Sequence, residues 1–294
     1  MPNKPATQAG IRDCGTIGQL NLNVQQHYHR AELGAEILAA LQSAGKATEQ
    51  VILDDLAPID QFHIGGKSTT LDLMRLAGLR QGSNILDIGG GLGGPARDLA
   101  VGLKAQVTVL DVSRDYCKAG EMLTARAGLG GQVVFTHGDA LEIPFHDRSF
   151  DAVWSQHSFM NIDNKERLFG EIYRVLRPNG KLAFHEILAG TSRPIYFPVP
   201  WARTQDISFL APASQLRALL FKAGFHEKNW VDISAASFTW WKQRIGVSAQ
   251  YSVAPIGLQV LFGDDARAMS GNVARNLEEH RIEVVQGVFE CVKR

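Results

Sequence analysis

Three carboxylates and a glycine loop carry the strongest chemical signal in this 294-residue chain. The loop is Asp87-Ile88-Gly89-Gly90-Gly91-Leu92-Gly93-Gly94-Pro95, with five glycines in six positions. Glycines accept positive φ and let a ligand reach the main chain with no Cβ in the way. A helix that starts at such a loop turns its free N–H groups toward a ligand's negative end. Asp111 lies 24 residues beyond Asp87, where a carboxylate accepts hydrogen bonds from both hydroxyls of a ribose. Gly138-Asp139-Ala140 adds a third carboxylate, suited to take the exocyclic amine of an adenine. Together these residues outline an adenosine pocket. Gly89, Gly91 and Gly94 also satisfy the dinucleotide spacing G-x-G-x-x-G. A pyrophosphate there would face the negative charge of Asp87, so a ligand with a cationic sulfonium and an amino group fits better.

Two histidines stand where a base would act. His157 follows one central strand, and His185, with Glu186 beside it, ends the next. Imidazole titrates near neutrality and suits proton transfer. The plainer alternatives are that His157 orients a ligand and that His185 is a satisfied core residue. His63, in the loop Phe62-His63-Ile64-Gly65-Gly66, either bonds a cofactor or caps its loop. Phe197, Trp201 and Phe209, with Trp240 and Trp241, either line an acceptor pocket or pack as a cover on their own core.

The elements that must position these groups are legible in part. Ile85, Leu86 and Ile88 read as a buried strand. Ala96, Leu99, Ala100 and Leu103 place a helix directly after the glycines. Strands then alternate with helices at 106–110, 114–127, 133–136, 150–154, 165–176 and 181–187, with Arg177-Pro178-Asn179-Gly180 read as a reversal. This alternation predicts a parallel sheet covered by helices on both faces. N-terminal to it, residues 1 to about 22 read as polar and loose, and helices are expected over 24–44 and 68–77. Beyond Ala189 come an irregular aromatic segment to residue 212, a helix at 213–223, a strand near 230–233, largely helical chain at 238–277, and a last strand at 284–292. The expected organisation is an N-terminal tail and helical cover over 1–78, a ligand-binding core over 79–190, and acceptor-covering segments with the rest of the sheet over 191–294.

Composition bounds the partners. Thirty basic and thirty acidic residues balance, so no broad field draws in nucleic acid or an anionic membrane. No run approaches the ~20 apolar residues of a membrane span. Cys14, Cys117 and Cys291 fit no zinc or disulfide pattern and suit a reducing cytoplasm, and no metal is expected. Monomer and homodimer are left open.

At the level of motifs the chain resembles the class I S-adenosylmethionine-dependent methyltransferases. The matching blocks are ILDIGGGLGG, VTVLDVS, GDALEIPFHDRSFDAVWS and Tyr173-Arg174-Val175-Leu176-Arg177-Pro178-Asn179-Gly180-Lys181-Leu182, in order across about residues 80–190. The loop at His63 and the stretch Asn272–Phe289 are similar to the small-molecule branch of sarcosine/dimethylglycine, sugar O- and quinone-biosynthesis enzymes. The resemblance implies a Rossmann-like seven-stranded, mostly parallel sheet with its last strand antiparallel. It also implies S-adenosylmethionine as cofactor and a small-molecule acceptor. By the same resemblance, Asp87, Gly89, Gly91 and Gly93 would hold the methionine part and Asp111 the ribose. Val112, Asp139 and Ala140 would surround the adenine, and Gln156 would lie near the sulfonium. In the dimethylglycine enzymes an acidic residue follows that glutamine. Here it is His157, which shifts the expectation from a cationic amine toward a hydroxyl or carbon acid. A nicotinamide-dependent oxidoreductase and a non-catalytic adenosyl-binding protein are the alternatives.

Overall fold

The computed structural model describes residues 12–13, 19–250 and 256–293. In chain order the strands are β1 (Arg12–Asp13), β2 (Asn84–Ile88), β3 (Gln106–Asp111), β4 (Val133–His137), β5 (Phe150–Gln156), β6 (Leu176–Ala189), β7 (Phe225–Asp232) and β8 (Ile282–Cys291). They form one sheet in the order β1-β4-β3-β2-β5-β6-β8-β7. From β4 through β3, β2 and β5 to β6, adjacent strands pair parallel. Strand β8 inserts antiparallel to both β6 and β7. Apart from the two-residue edge strand β1, this is the expected seven-stranded Rossmann-like sheet.

Strand order reverses at β2, which lies between β3 and β5. In open α/β sheets the crevice outside the carboxyl ends at such a point is where ligands bind. The register sets Asp87 opposite Val109, Asp111 opposite His137, and Gln156 opposite His185, so the candidate residues come out at one end of the sheet.

Two apolar clusters flank the sheet. One packs Leu73 and Leu99 against Ile85 and Trp154. The other packs Leu168, Ile172 and Leu216 against Phe184 and Phe289. The fully buried Trp154 donates its indole N–H to Gln156 Oε1 at 3.0 Å, so its polar end is satisfied within the core. A third cluster roofs the carboxyl ends. It joins Ile37, Leu41 and Leu56 near the N-terminus to Trp201, Trp241 and Met269 far along the chain.

The helices differ from the sequence expectation where long-range contacts decide. The helix expected over 24–44 is two helices, α1 (Gln19–Tyr28) and α2 (Leu33–Ser43). At the break, Asp115 Oδ2 accepts the Arg30 backbone N–H at 3.0 Å and lies 2.7 Å from His29 Nδ1. That carboxylate takes a main-chain donor that a continuous helix would have used. Helix α3 (Leu53–Asp60), with Pro58 inside its eight residues, is an element the sequence reading does not contain. Helix α4 runs Gly66–Ala77. The predicted reversal at residues 177–180 is instead the opening of β6. Asn179 takes φ +63° there, and the register against β5 shifts between Phe150 and Ala152. The strand near 230–233 starts earlier, at Phe225.

Helices α5 (Gly94–Leu103), α6 (Arg114–Arg126), α7 (Lys165–Val175) and α8 (Ala213–Lys222) agree with the sequence reading within two residues. The helical region near the C-terminus is α9 (Ser234–Gln250), α10 (Leu258–Phe262) and α11 (Asp265–Glu278). The stretch expected to be loose, and Cys14, lie largely outside the described residues. Cys117 and Cys291 are buried thiols. No described helix is long and apolar enough to cross a membrane.

Candidate functional site

A cleft of about 1240 Å³, counted out to its open mouth, lies at the carboxyl ends of β2 to β5. Asp87, Gly89, Gly91, Asp111, Val112, Asp139 and Ala140 line one part of it, and His63, Gln156, His157 and Trp201 another. Gly93, His185 and Phe197 do not line it. Gly93 caps α5 at φ +80°, and a Cβ there would sit 2.6 Å from the Phe135 ring, so it serves packing. Phe197 packs against the roof cluster. His185 lies behind His157, with ring centroids 4.5 Å apart.

In the part lined by β2 and β3, strand ends and main-chain donors fix the carboxylates. Asp111 Oδ2 accepts the Gly91 N–H at 2.9 Å and Oδ1 the Ser113 N–H at 2.8 Å, leaving a further lone pair on each oxygen. Burial pushes the Asp111 carboxyl up, against the pull of those two donors. Asp87 is 1% exposed, and its Oδ2 has no partner. Burial, with the Asp111 charge added, pushes its carboxyl well above the usual range. A Cβ on Gly90 would lie 2.5 Å from that oxygen, so only glycine fits over Asp87. Buried carboxylates without a countercharge, beneath a side-chain-free loop, suit a cationic ligand that comes close to the main chain. S-Adenosylmethionine would fit this set, with Asp87 available to its positive charge and Asp111 to its ribose hydroxyls.

The opposite wall is built on the turn after β5. His157 has φ +52°, and its N–H donates to the His185 carbonyl at 2.8 Å. Glu186 Oε1 accepts the next two backbone donors, Ser158 N–H at 2.8 Å and Phe159 N–H at 2.9 Å. The loop approaches the glycines so closely that a Cβ on Gly89 would lie 2.3 Å from that of Ser158. The His157 Nε2 is buried and unpartnered. Burial holds the His157 ring well below its ordinary pKa, with His63 adding to the effect, so it is neutral at pH 7. His63 is brought down to about 4 by burial, and lies within hydrogen-bond distance of Gln61 Oε1 and the Thr70 hydroxyl.

Glu186 is fully buried, and burial pushes its carboxyl from 4.5 up to about 7. Between those values the folded protein holds a proton that the unfolded chain has lost. The stability this adds is complete below about pH 4.5 and is lost as pH rises through about 7. Glu186→Gln keeps an acceptor oxygen for both N–H groups and removes the titration. The variant is expected to exceed the parent in stability at pH 8 by up to about 3 kcal/mol. Urea unfolding of ligand-free protein at pH 5 and pH 8 measures this, and an equal loss in both proteins refutes it.

Several wall residues carried no site signal in the sequence: Val24, Tyr28, Met160, Asn161 and Val273. Asn161 joins three segments there. Its Oδ1 accepts the Tyr28 hydroxyl at 3.1 Å, and its amide donates to the carbonyls of Trp201 and Ile207 at 2.8 Å each. Its place just past the end of β5 is the one hint the sequence held. Among the described residues there is no cluster of three or more groups able to hold a metal.

Comparison with known proteins agrees with this geometry. Residues 86–184 match the methyltransferase domain family. The sterol 24-C-methyltransferase erg-4 of Neurospora crassa is 37% identical over 111 residues, covering 38% of this chain and 29% of that one. The 27-O-demethylrifamycin SV methyltransferase of Amycolatopsis mediterranei is 31% identical over 175 residues, covering 57% and 64%. The chain thus spans under two thirds of either relative. Geranyl diphosphate C-methyltransferase of Streptomyces coelicolor A3(2), solved with S-adenosyl-L-homocysteine, superposes with a TM-score of 0.68 at 14% identity, covering 94% of this chain and 99% of that one. At that identity the likeness is one of fold.

Proposed function

We propose that this chain, whose residues 86–184 are a methyltransferase domain, moves a methyl group from S-adenosylmethionine to a small-molecule acceptor. The observation that carries the reading is the unpartnered Asp87 Oδ2 beneath Gly90, beside Asp111, whose two oxygens each take one main-chain N–H and keep a lone pair. When bound, S-adenosylmethionine supplies an electrophilic methyl on a cationic sulfur. The chain's own work is then to hold the acceptor in line with it and keep water out, and such positioning supplies much of the rate.

His157 gives the reading its finer form. A neutral imidazole with a free ring nitrogen accepts a proton from a hydroxyl or an acidic carbon as the acceptor attacks. The site then gains a positive charge on the ring as it loses one at sulfur, so its net charge is unchanged. The turn built on Glu186 and His185 sets the ring's place. The relatives include methyltransferases named for a sterol carbon, for a rifamycin oxygen and for the nitrogen of glycine, sarcosine and dimethylglycine, so it is His157 that favours a hydroxyl or carbon acceptor.

Calorimetric titration tests the cofactor. S-Adenosylhomocysteine is expected to bind stoichiometrically and NADH not at all; the reverse would establish an oxidoreductase. Trideuteromethyl-labelled cofactor, incubated with protein and a cell extract, is expected to label a small molecule.

A further inference from the structure

The part of the cleft beyond the adenosine residues has an unusual charge inventory. Four carboxylates line the whole cleft, from Asp60, Asp87, Asp111 and Asp139, and no lysine or arginine among the described residues does. Four cations of the flanking segments are committed elsewhere, and Arg244, three residues past Trp241, lies over the Trp240 ring. Arg97 pairs with Asp60 at 2.6 Å and donates to the Thr124 hydroxyl. Lys67 lies between Asp54 and Asp98. Lys165 donates to the carbonyls of Ile162 and Phe209. Arg203 pairs with Asp265. The two wall histidines, His63 and His157, are neutral as described above.

The rest of that wall is apolar, built from Phe62, Met160, Ile187, Trp201, Trp241 and Val273. Buried polar atoms are nearly always hydrogen-bonded. Two wall residues break the rule: His157 through Nε2 and Trp241 through Nε1. The other wall groups are occupied, since Trp201 gives its N–H to the Ser208 hydroxyl at 3.0 Å and Tyr28 its hydroxyl to Asn161. An indole N–H only donates, so its missing partner is an oxygen acceptor.

From this we infer that the acceptor carries no negative charge: it is an apolar skeleton that presents one hydroxyl to His157 and a second oxygen to the Trp241 N–H. A phosphate, sulfonate or carboxylate on it would leave water for a wall of carbon and neutral groups that offers it no cation, and burying a charge without a partner costs several kcal/mol. A bound cofactor would not reverse this, because its two positive charges would be matched in number by its own carboxylate and Asp87. The inference rests on the methyl-transfer reading for its direction, but the charge preference belongs to the wall and is measured separately.

Two fluorescent probes share a skeleton and differ by one sulfonate: N-phenyl-1-naphthylamine and 8-anilinonaphthalene-1-sulfonate. Titrated into the full chain with and without S-adenosylhomocysteine, the neutral probe is expected to bind at least tenfold more tightly. Met160→Arg, which adds a cation to the wall, is expected to narrow or invert that ratio. Equal binding of the two probes by the parent, tighter binding of the sulfonate, or no binding of the neutral probe overturns the inference. Failure of S-adenosylhomocysteine to bind speaks against the cofactor reading instead. In the labelled-extract experiment the product is expected to pass an anion exchanger at pH 7, and a retained product overturns the inference.

Discussion

Asp111→Ala is expected to weaken S-adenosylhomocysteine binding about 100-fold, close to loss of binding at the concentrations a calorimeter uses. The Asp111 oxygens each take one main-chain N–H, from Gly91 and Ser113, and each keeps a lone pair for a ribose hydroxyl. Hydrogen bonds to a charged group contribute about 1.5–3 kcal/mol apiece, so two of them amount to a factor of about a hundred or more. The alanine variant loses more than these contacts. The Gly91 N–H loses its acceptor, and the glycine loop is no longer tied to the end of β3. Asp111→Asn separates the two effects, because it keeps an acceptor oxygen for one main-chain donor while setting an amide against the other. It is expected to fall between parent and alanine. Circular dichroism of both variants guards against unfolding. An affinity within threefold of the parent in Asp111→Ala would remove Asp111 from the ribose site.

That Asp87, Asp111 and Asp139 line one cleft was legible because sequence and geometry coincide there. Asp87, Asp111 and Asp139 sit at or just past the ends of short apolar strands, and a parallel sheet carries all strand ends to one side. Spacing along the chain is then enough to place them together. The acceptor half has no such rule. Val24, Trp201, Trp241 and Val273 come from four parts of the chain, and the stretch around Trp201 has no periodicity to read. Phe197 and Trp201 looked equivalent from sequence. Both pack in the roof cluster, and only Trp201 also reaches the wall of the cleft.

The same limit explains the helix errors. Asp115 ends α1 from 85 residues away, through the Arg30 N–H. No local signal near residue 30 announces that contact. Gly93 misled for the opposite reason. It belongs to the glycine motif, but its positive φ serves the start of α5 and its missing Cβ makes room for Phe135. His185 lies at the expected strand end but does not line the cleft. It opposes Gln286 on β8 and backs His157.

The second large effect falls on turnover. His157→Ala is expected to lower kcat by about 10²- to 10⁴-fold, the usual worth of a positioned acid or base, while S-adenosylhomocysteine affinity stays within threefold. The ring's Nε2 is the one buried acceptor-competent atom on the wall opposite Asp87 that has no partner, and the fixed turn after β5 gives it a single position. A residue that only shaped the pocket would show mainly in KM, so the split between kcat and KM decides its role. The pH profile gives a second reading. Burial holds the His157 imidazole well below 6.5, so it is neutral and able to accept a proton throughout the neutral range. Activity of the parent is therefore expected to stay level from pH 6.5 to 8.5 and to fall only on strong acidification, when the ring takes up a proton beforehand. An acid limb centred near pH 6.5 would mean an ordinary, solvated histidine. Full turnover in His157→Ala would leave the ring a spectator and return the acceptor to a nucleophile that needs no base, such as a neutral amine. The orphaned nitrogen would then want another explanation.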